Sequence, residues 1–500
     1  MREFQRALGI VVVSLLLLLL SNCTHPPYGY NTLATISGRR RSQIDWAILT
    51  QRAAPGLPDG QRSLPGSIAA TDIPSRTISI NALFHPSRLN TRLGLNQMEL
   101  VVGIEAADDP MPLILPGAIS RFVATLASFD RHGHLQLGEQ AFWGGGNGIS
   151  TLSKQDVFQI VVLEIREDLD TEWIENAVTD LYRFARPKAF IIGNELNLII
   201  FRYSNPETYY HQLNVAYRTI KSMDPSVQVY PYGCSPSDLH IFERPDLVLE
   251  ALLSYYEQNP YAPDQKYPFD GITYHAYLPN QIHSIQTVKD ILTRHNIRLP
   301  ILIGESGLHV NDVLPREWNS HLTVPEDQAN YLWQSTALLF AQGADYVIYH
   351  TAMDFVALAK EQWGLYRRDG SARPAARAFK FAQRIFNNVE ALKYTVSNDI
   401  NILTLYRTDN LRARIIWNDS KEGQLFNDVT DSALFFDRYG KPVSPISLEN
   451  GQIGIWLPGR YTALVAGDVV IIVDTEQDST DAGSTKSDST IHIHHFYQPQ

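Results

Sequence analysis

The sequence predicts an eight-stranded parallel α/β barrel followed by a small antiparallel β-sandwich domain. Two observations lead there. Between residues 158 and 388, apolar strands alternate with helices, and polar residues of chemical character stand where several strands end. From 391 to 470 the pattern becomes apolar–polar alternation with turn signals and no long helix.

The first convincing strand is the continuous apolar run FQIVVLEI at 158–165. Asp170 caps the following helix, in which Trp173, Ala177, Leu181 and Phe184 form one stripe. KAFIIGNE at 188–195 is the next buried strand, and Pro206 opens a helix through Met223. A strand at 227–233 precedes a helix from Leu247 to Tyr256. The strand GITYHAY at 271–277 is followed by a helix through His295. PILIGESG at 300–307 is a strand, and Pro325 opens a helix that Gly343 ends. ADYVIYHT at 344–351 is a strand, and Pro374 opens the last helix through Phe386.

An open doubly wound sheet and a closed barrel both show such alternation. GGGN at 144–147 neither follows a convincing strand nor opens a helix, so a dinucleotide site has little support. Asn194 with Glu195, His275 with Tyr277, Glu305 and His350 instead end four different strands. Barrel active sites are built in this way, around one mouth. Two further strands must precede residue 158, with MELVVGIE at 98–105 and SRFVATLASF at 120–129 as candidates. Both are polar enough to be sandwich strands instead.

The 500 residues are 44% hydrophobic and 10% aromatic, which fills a sizeable core and excludes wholesale disorder. The net charge of −11 leaves no surplus of Lys and Arg to neutralise phosphates, so nucleic acid is not an expected partner. Two cysteines, Cys23 and Cys234, exclude a disulfide framework and a Cys-rich metal site. Cys234 reads as a buried thiol, since no His and Asn or Asp set can be placed around it.

Arg2 and Arg6 precede an apolar run at 7–20, too short to span a bilayer but suited to a secretory signal. Residues 1–22 are therefore expected to be a signal peptide. Leu20-Ser21-Asn22-Cys23 resembles a bacterial lipobox, which implies lipid on Cys23 and a membrane anchor, although Asn22 departs from the usual Gly or Ala. Ordinary cleavage nearby and an uncleaved anchor are the alternatives. All three place the body outside the cytoplasm, in the cell envelope or beyond it. Residues 23–73 read as a tether, 74–390 as the barrel, 391–473 as the β-sandwich and 474–500 as a solvated polar tail. His492, His494 and His495 in that tail have no carboxylate or Cys partner at ligand spacing.

Glu195 and Glu305 each end an apolar strand just after a glycine-containing turn sequence, GNE and GES. Two carboxylates held across a barrel mouth suit glycoside hydrolysis. One carries the proton for the leaving oxygen, and the other is ionised and attacks the anomeric carbon.

At these motifs the chain resembles clan A of the glycoside hydrolases, the TIM-barrel families that include 5 and 39. IIGNELN matches the clan's fourth-strand motif, and ILIGESG matches its seventh. The resemblance implies that Glu195 is the acid/base, Glu305 the nucleophile and Asn194 a ligand of the sugar 2-hydroxyl. YHAY matches a sixth-strand His-x-Tyr pattern, which implies that Tyr277 hydrogen-bonds Glu305 and that His275 lines the sugar site. The clan usually ends strand eight with a Trp. Here the strand reads IYHTAMDF, and His350, Phe355 or Trp363 stands in. Arg121 is the candidate for the arginine usually found near strand two. The resemblance implies a retaining glycosidase that acts on a poly- or oligosaccharide and needs no metal or organic cofactor. The rival reading is a carbohydrate-binding surface protein on a barrel that has lost its chemistry. The missing strand-eight Trp and the unclear strand-two Arg motivate it, and the presence of both glutamates argues against it. A zinc hydrolase lacks any His-x-x-x-His or similar ligand set.

Overall fold

The structure is a computed structural model. It describes residues 76–78, 93–96, 119–136, 158–196, 203, 205–234, 245–277, 279–310, 312, 323–354, 362–387, 389–408, 411–429, 433–448, 452–462 and 465–475. Residues 1–22, Cys23, the run at 98–105, Phe355 and the C-terminal histidines lie outside the described residues. No helix among the described residues is long and apolar enough to cross a membrane.

A short first strand, β1 (Arg76–Ile78), belongs to the second domain. Eight parallel strands then form the barrel: β2 (Leu93–Asn96), β3 (Ile119–Ala124), β4 (Phe158–Leu163), β5 (Ala189–Asn194), β6 (Gln228–Gly233), β7 (Ile272–His275), β8 (Ile301–Ser306) and β9 (Tyr346–His350). They pair in the order β6-β5-β4-β3-β2-β9-β8-β7. The ring closes between β6 and β7 through one bridge, Cys234 with Tyr274, where the His275 N–H donates to the Cys234 carbonyl at 3.0 Å. Cys234 is a buried free thiol at this seam.

Among the described residues the first barrel strand is Leu93–Asn96. Four residues, one of them Gly94, are too short to show a period. A Cβ on Gly94 would lie 2.6 Å from Ile348 and 2.7 Å from Ile119, so the glycine lets neighbouring strands close around it. The second barrel strand, Ile119–Ala124, overlaps the expected 120–129 region but ends at Ala124, and Leu126–Ser128 turns as a 3₁₀ segment.

The helices are α1 (Thr171–Ala185), α2 (Pro206–Met223), α3 (Pro245–Gln258), α4 (Pro279–Arg294), α5 (Pro325–Gln342) and α6 (Pro374–Ile385). Asp170 caps α1 by accepting from the Trp173 N–H at 2.8 Å, and Gly343 ends α5 in the left-handed conformation. The strands' outward side chains and the helices' inner faces form the main core. Their inward side chains, among them Ile119, Val123, Ile160, Val162, Ile191, Tyr230, Leu302 and Ile348, fill the barrel itself. Tyr209 and Tyr210 are buried in the layer between α2 and its neighbours. The Tyr209 hydroxyl donates to the Ile192 carbonyl and accepts from the Tyr232 N–H.

The second domain is a sandwich. One sheet runs β1-β10-β11-β12-β17-β14 and the other β13-β16-β15. Here β10 is Val389–Ser397, β11 Ile400–Arg407, β12 Leu411–Asn418, β13 Gln424–Phe426, β14 Leu434–Asp437, β15 Ile446–Ser447, β16 Ile453–Leu457 and β17 Val470–Thr475. Ile400, Ile416, Phe435 and Ile472 from the first sheet meet Phe426, Ile455 and Leu457 from the second. Both edges of this domain differ from the sequence reading. Residues 76–78 pair with β10 although 74–390 was assigned to the barrel. The last strand runs through Thr475, past the expected start of the tail at 474. Asp474 is buried there because Arg412 and Arg414 both donate to its carboxylate.

Candidate active site

The site is set by which way each strand end points. Inward and outward residues alternate along a strand, so Arg121 shares the inward face of β3 with Ile119 and Val123. It is wholly buried, and it can sit in the barrel only because acceptors meet it. Its Nη1 donates to Glu305 Oε1 at 2.8 Å and its Nη2 to Asn194 Oδ1 at 3.0 Å. An arginine has only donors to offer, so the Asn194 amide must turn its oxygen to Arg121 and keep its NH₂ for another partner.

Glu195 follows β5 through a turn that needs left-handed backbone. Gly193 has φ +88°, and Glu195 itself has φ +48°, a conformation a non-glycine residue rarely adopts. The side chain is buried, and Oε1 lies 3.0 Å from His275 Nδ1. Glu305 stands near the end of β8, where the pairing with β9 slips between Ile303 and Ser306. Such irregularities re-aim side chains beside active sites. The glycine before it acts differently from Gly193. A Cβ on Gly304 would lie 3.1 Å from His275 Nε2, and one on Gly233 only 2.5 Å from the same atom. These two glycines make the slot for the imidazole.

Glu305 collects partners from three other strands: β3, β7 with the residues just past its end, and β9. Besides Arg121, it accepts a hydrogen bond from the Tyr277 hydroxyl on Oε2. His275 Nδ1 lies 3.7 Å and His350 Nδ1 3.5 Å from that same oxygen. Burial pushes the Glu305 carboxyl up. His275, His350 and Arg121 and the Tyr277 hydrogen bond outweigh it and hold the group well below the usual carboxylate range. Oxygens of Glu195 and Glu305 and a nitrogen of His275 all lie within 4.8 Å of one another. This trio could hold a cation geometrically. The Arg121 guanidinium in contact with Glu305 already supplies compensating positive charge there.

Trp363 completes the mouth. Its ring lies 5.2 Å from Tyr277, 5.5 Å from His309 and 5.9 Å from His350, all edge-on. The loop that carries it is tied down by buried charge. Arg373 donates to Asp354, Asp312 and the Gly364 carbonyl, and Gln328 donates to the Trp363 carbonyl. The His350–Thr351 peptide bond beside it is cis.

Asn194, Glu195, His275, Tyr277, Glu305, His350 and Trp363 thus meet at one end of the barrel. His275 lies beneath both carboxylates rather than along an open wall. Arg121, which the sequence offered only as a candidate, is the hub between Asn194 and Glu305. Tyr331 on α5 also reaches this site. Its hydroxyl donates to the Tyr277 carbonyl, and nothing in the α5 sequence distinguishes it from a core aromatic.

No protein-family model matches the sequence, and no curated protein matches it by sequence comparison. Solved structures do match its fold. A family 39 glycoside hydrolase from Bacteroides cellulosilyticus is 16% identical with a TM-score of 0.52, covering 72% of this chain and 76% of its own. A glucosidase from Croceicoccus marinus is 13% identical with a TM-score of 0.54, covering 81% and 98%. A family 51 α-L-arabinofuranosidase from Bifidobacterium longum is 12% identical with a TM-score of 0.51, covering 80% and 97%. The barrel with its trailing β-sandwich therefore has the fold of the clan A glycoside hydrolases.

Proposed function

We propose that the protein is an exported retaining glycoside hydrolase that cleaves O-glycosidic bonds of a poly- or oligosaccharide. The observation that carries this reading is the pair of buried carboxylates, Glu195 and Glu305, with oxygens within 4.8 Å of each other. Retaining enzymes hold their carboxyl groups about 5–5.5 Å apart, whereas inverting enzymes leave roughly 6.5–9.5 Å for a water. The environments also differ in the sense the chemistry needs. Arg121, Tyr277 and two imidazoles favour an ionised Glu305, ready to attack. Glu195, whose Oε1 lies 3.0 Å from His275 Nδ1, is then the acid/base.

In the first step Glu195 protonates the glycosidic oxygen while Glu305 attacks the anomeric carbon. In the second, Glu195 takes a proton from water, which displaces the sugar from Glu305. The free NH₂ of Asn194 can donate to a sugar hydroxyl, and Trp363 and His350 can form the floor beneath the ring. The sequence pattern at 1–23 supports export with lipid on Cys23 and hence attachment to a membrane.

A panel of aryl glycosides and polysaccharides, turned over by wild type, Glu305→Gln and Glu195→Gln, tests the reaction. Both variants are expected to lose at least about a thousandfold in kcat/KM, and a fluorosugar should label Glu305. Equal turnover by all three proteins would sink the assignment. Sugar binding without turnover, retained in both variants, would favour a binding protein.

A further inference from the structure

The residue that aims the nucleophile's hydrogen-bond donor is itself held from outside the barrel. Tyr277 lies two residues beyond the end of β7. The last ladder-like bond before it runs from the Ala276 N–H to the Glu305 carbonyl at 2.9 Å. The Tyr277 carbonyl is buried past that point and needs a donor. The Tyr331 hydroxyl of α5 provides it. Burial pushes the Tyr331 phenol far up, so it stays protonated and can donate.

Tyr331 is in turn seated by the β-sandwich. It packs with Leu308 and Val465 in a small buried cluster of its own, and Val465 belongs to the second domain. The side chains on either side of Tyr331 along α5 grip the same loop. Asn330 donates to Asp468 at 3.0 Å and accepts from the Val469 N–H at 3.3 Å. Gln334 donates to the Gly467 carbonyl at 2.9 Å and accepts from the Ala466 N–H at 3.1 Å. The loop has no slack, because a Cβ on Gly467 would lie 1.9 Å from the Pro458 carbonyl oxygen. A chain of direct contacts therefore runs from Val465 through Tyr331 and Tyr277 to Glu305.

We propose that Tyr331 is a positioning residue for Glu305, acting through Tyr277, and that the β-sandwich loop at 465–469 holds it in place. The second domain is then part of the catalytic apparatus and not only a companion. Tyr331 touches neither carboxylate. It fixes the backbone of Tyr277, while Trp363 and His350 fix the ring. This inference rests on the glycosidase reading for its effect on turnover, but its structural half can be tested separately.

Tyr331→Phe removes one oxygen and keeps the packing. Tyr256→Phe is the control. It also removes a buried hydroxyl, one that donates to the Tyr210 carbonyl and Asn214 away from the site. Tyr331→Phe is expected to lower kcat about three- to tenfold, the worth of roughly one net hydrogen bond, with KM within about twofold of wild type. Val465→Ala should lower kcat in the same direction by less, and Tyr256→Phe should leave kcat unchanged. Independently of turnover, NMR of protein carrying ¹³Cζ-labelled tyrosine reads the phenol of Tyr277, identified as the signal lost in Tyr277→Phe. That signal should move in Tyr331→Phe and stay in Tyr256→Phe. An unmoved Tyr277 signal in Tyr331→Phe overturns the proposal. So does a kcat for Tyr331→Phe equal to that of the Tyr256→Phe control. If Glu305→Gln turns over sugars as wild type does, the glycosidase reading fails, and the NMR result still decides whether Tyr331 positions Tyr277.

Discussion

Among the residues, Glu305 holds the most concentrated electrostatics. A carboxylate buried this deeply is unfavourable unless paired, and four groups surround it: Arg121 on β3, His275 at the end of β7, Tyr277 just past that end and His350 at the end of β9. Its folded-state pKa lies below its unfolded one, so it adds stability above the unfolded value of about 4.3 and loses it as pH falls toward the folded value. The comparison with Glu305→Gln, whose side chain does not titrate, isolates this group. Between pH 5 and pH 3 the unfolding free energy of wild type should fall relative to that of the variant, by on the order of 1 kcal/mol. Chemical denaturation at a series of pH values measures it. A constant difference would mean that Glu305 is not held ionised. The two glutamates were legible in the sequence because each ends an apolar strand. The burial of Arg121 was not. It lies in a run, SRFVA, that a polar reading allows to be a surface strand, and only the closed barrel puts acceptors in front of it.

The strands show how short-range geometry sets the site. Gly193 and Gly233 end adjacent strands but act by different means. Gly193 supplies a positive φ that swings Glu195 into the mouth. Gly233 supplies emptiness, since its missing Cβ is where the His275 ring lies. Gly233→Ala should therefore push the imidazole away from Glu195 while leaving the strand ladder intact. The expected result is a loss of at least about tenfold in kcat/KM with only about 1–3 kcal/mol of destabilisation, the usual range for overpacking. Activity and thermal melts on the same preparation separate the two effects. Activity that falls no further than stability predicts would make Gly233 a packing glycine only. Strands such as 158–163 and 301–306 were readable because a buried parallel strand is a continuous apolar run. Leu93–Asn96 was not, since four residues with a glycine leave nothing periodic. For the same reason the tripeptide at Arg76–Ile78 gave no sign that it edges the distant sandwich.

In the whole molecule, the barrel and the sandwich share one helix. Every side chain of α5 from Asp327 to Gln342 is buried, which explains why its apolar stripe is blurred and why its polar residues gave no sequence signal. A helix with a single neighbouring layer shows one polar face, whereas α5 has barrel on one side and sandwich on the other. Trp333 lies 5.6 Å from Phe381 and 5.9 Å from Phe386 on α6 and the residue after it, and its Nε1 donates to the Arg438 carbonyl of the sandwich. Phe381 in turn meets Phe436 of β14 at 5.7 Å. A chain cut after residue 388 would uncover this aromatic face together with the seat of Tyr331. Such an exposed apolar patch favours association over folding as a monomer. The fragment 74–388 is expected to elute as aggregate in size-exclusion chromatography and to show no cooperative melt, under conditions where 74–475 is monodisperse. Including 74–78 in both fragments leaves β1 without its partner β10 only in the shorter one, so removing residues 74–78 from the shorter fragment tests whether a stray edge strand alone causes association. Aggregation that persists without those residues places the cause in the α5–sandwich interface. A monodisperse, cooperatively melting 74–388 would show instead that the barrel folds without its companion.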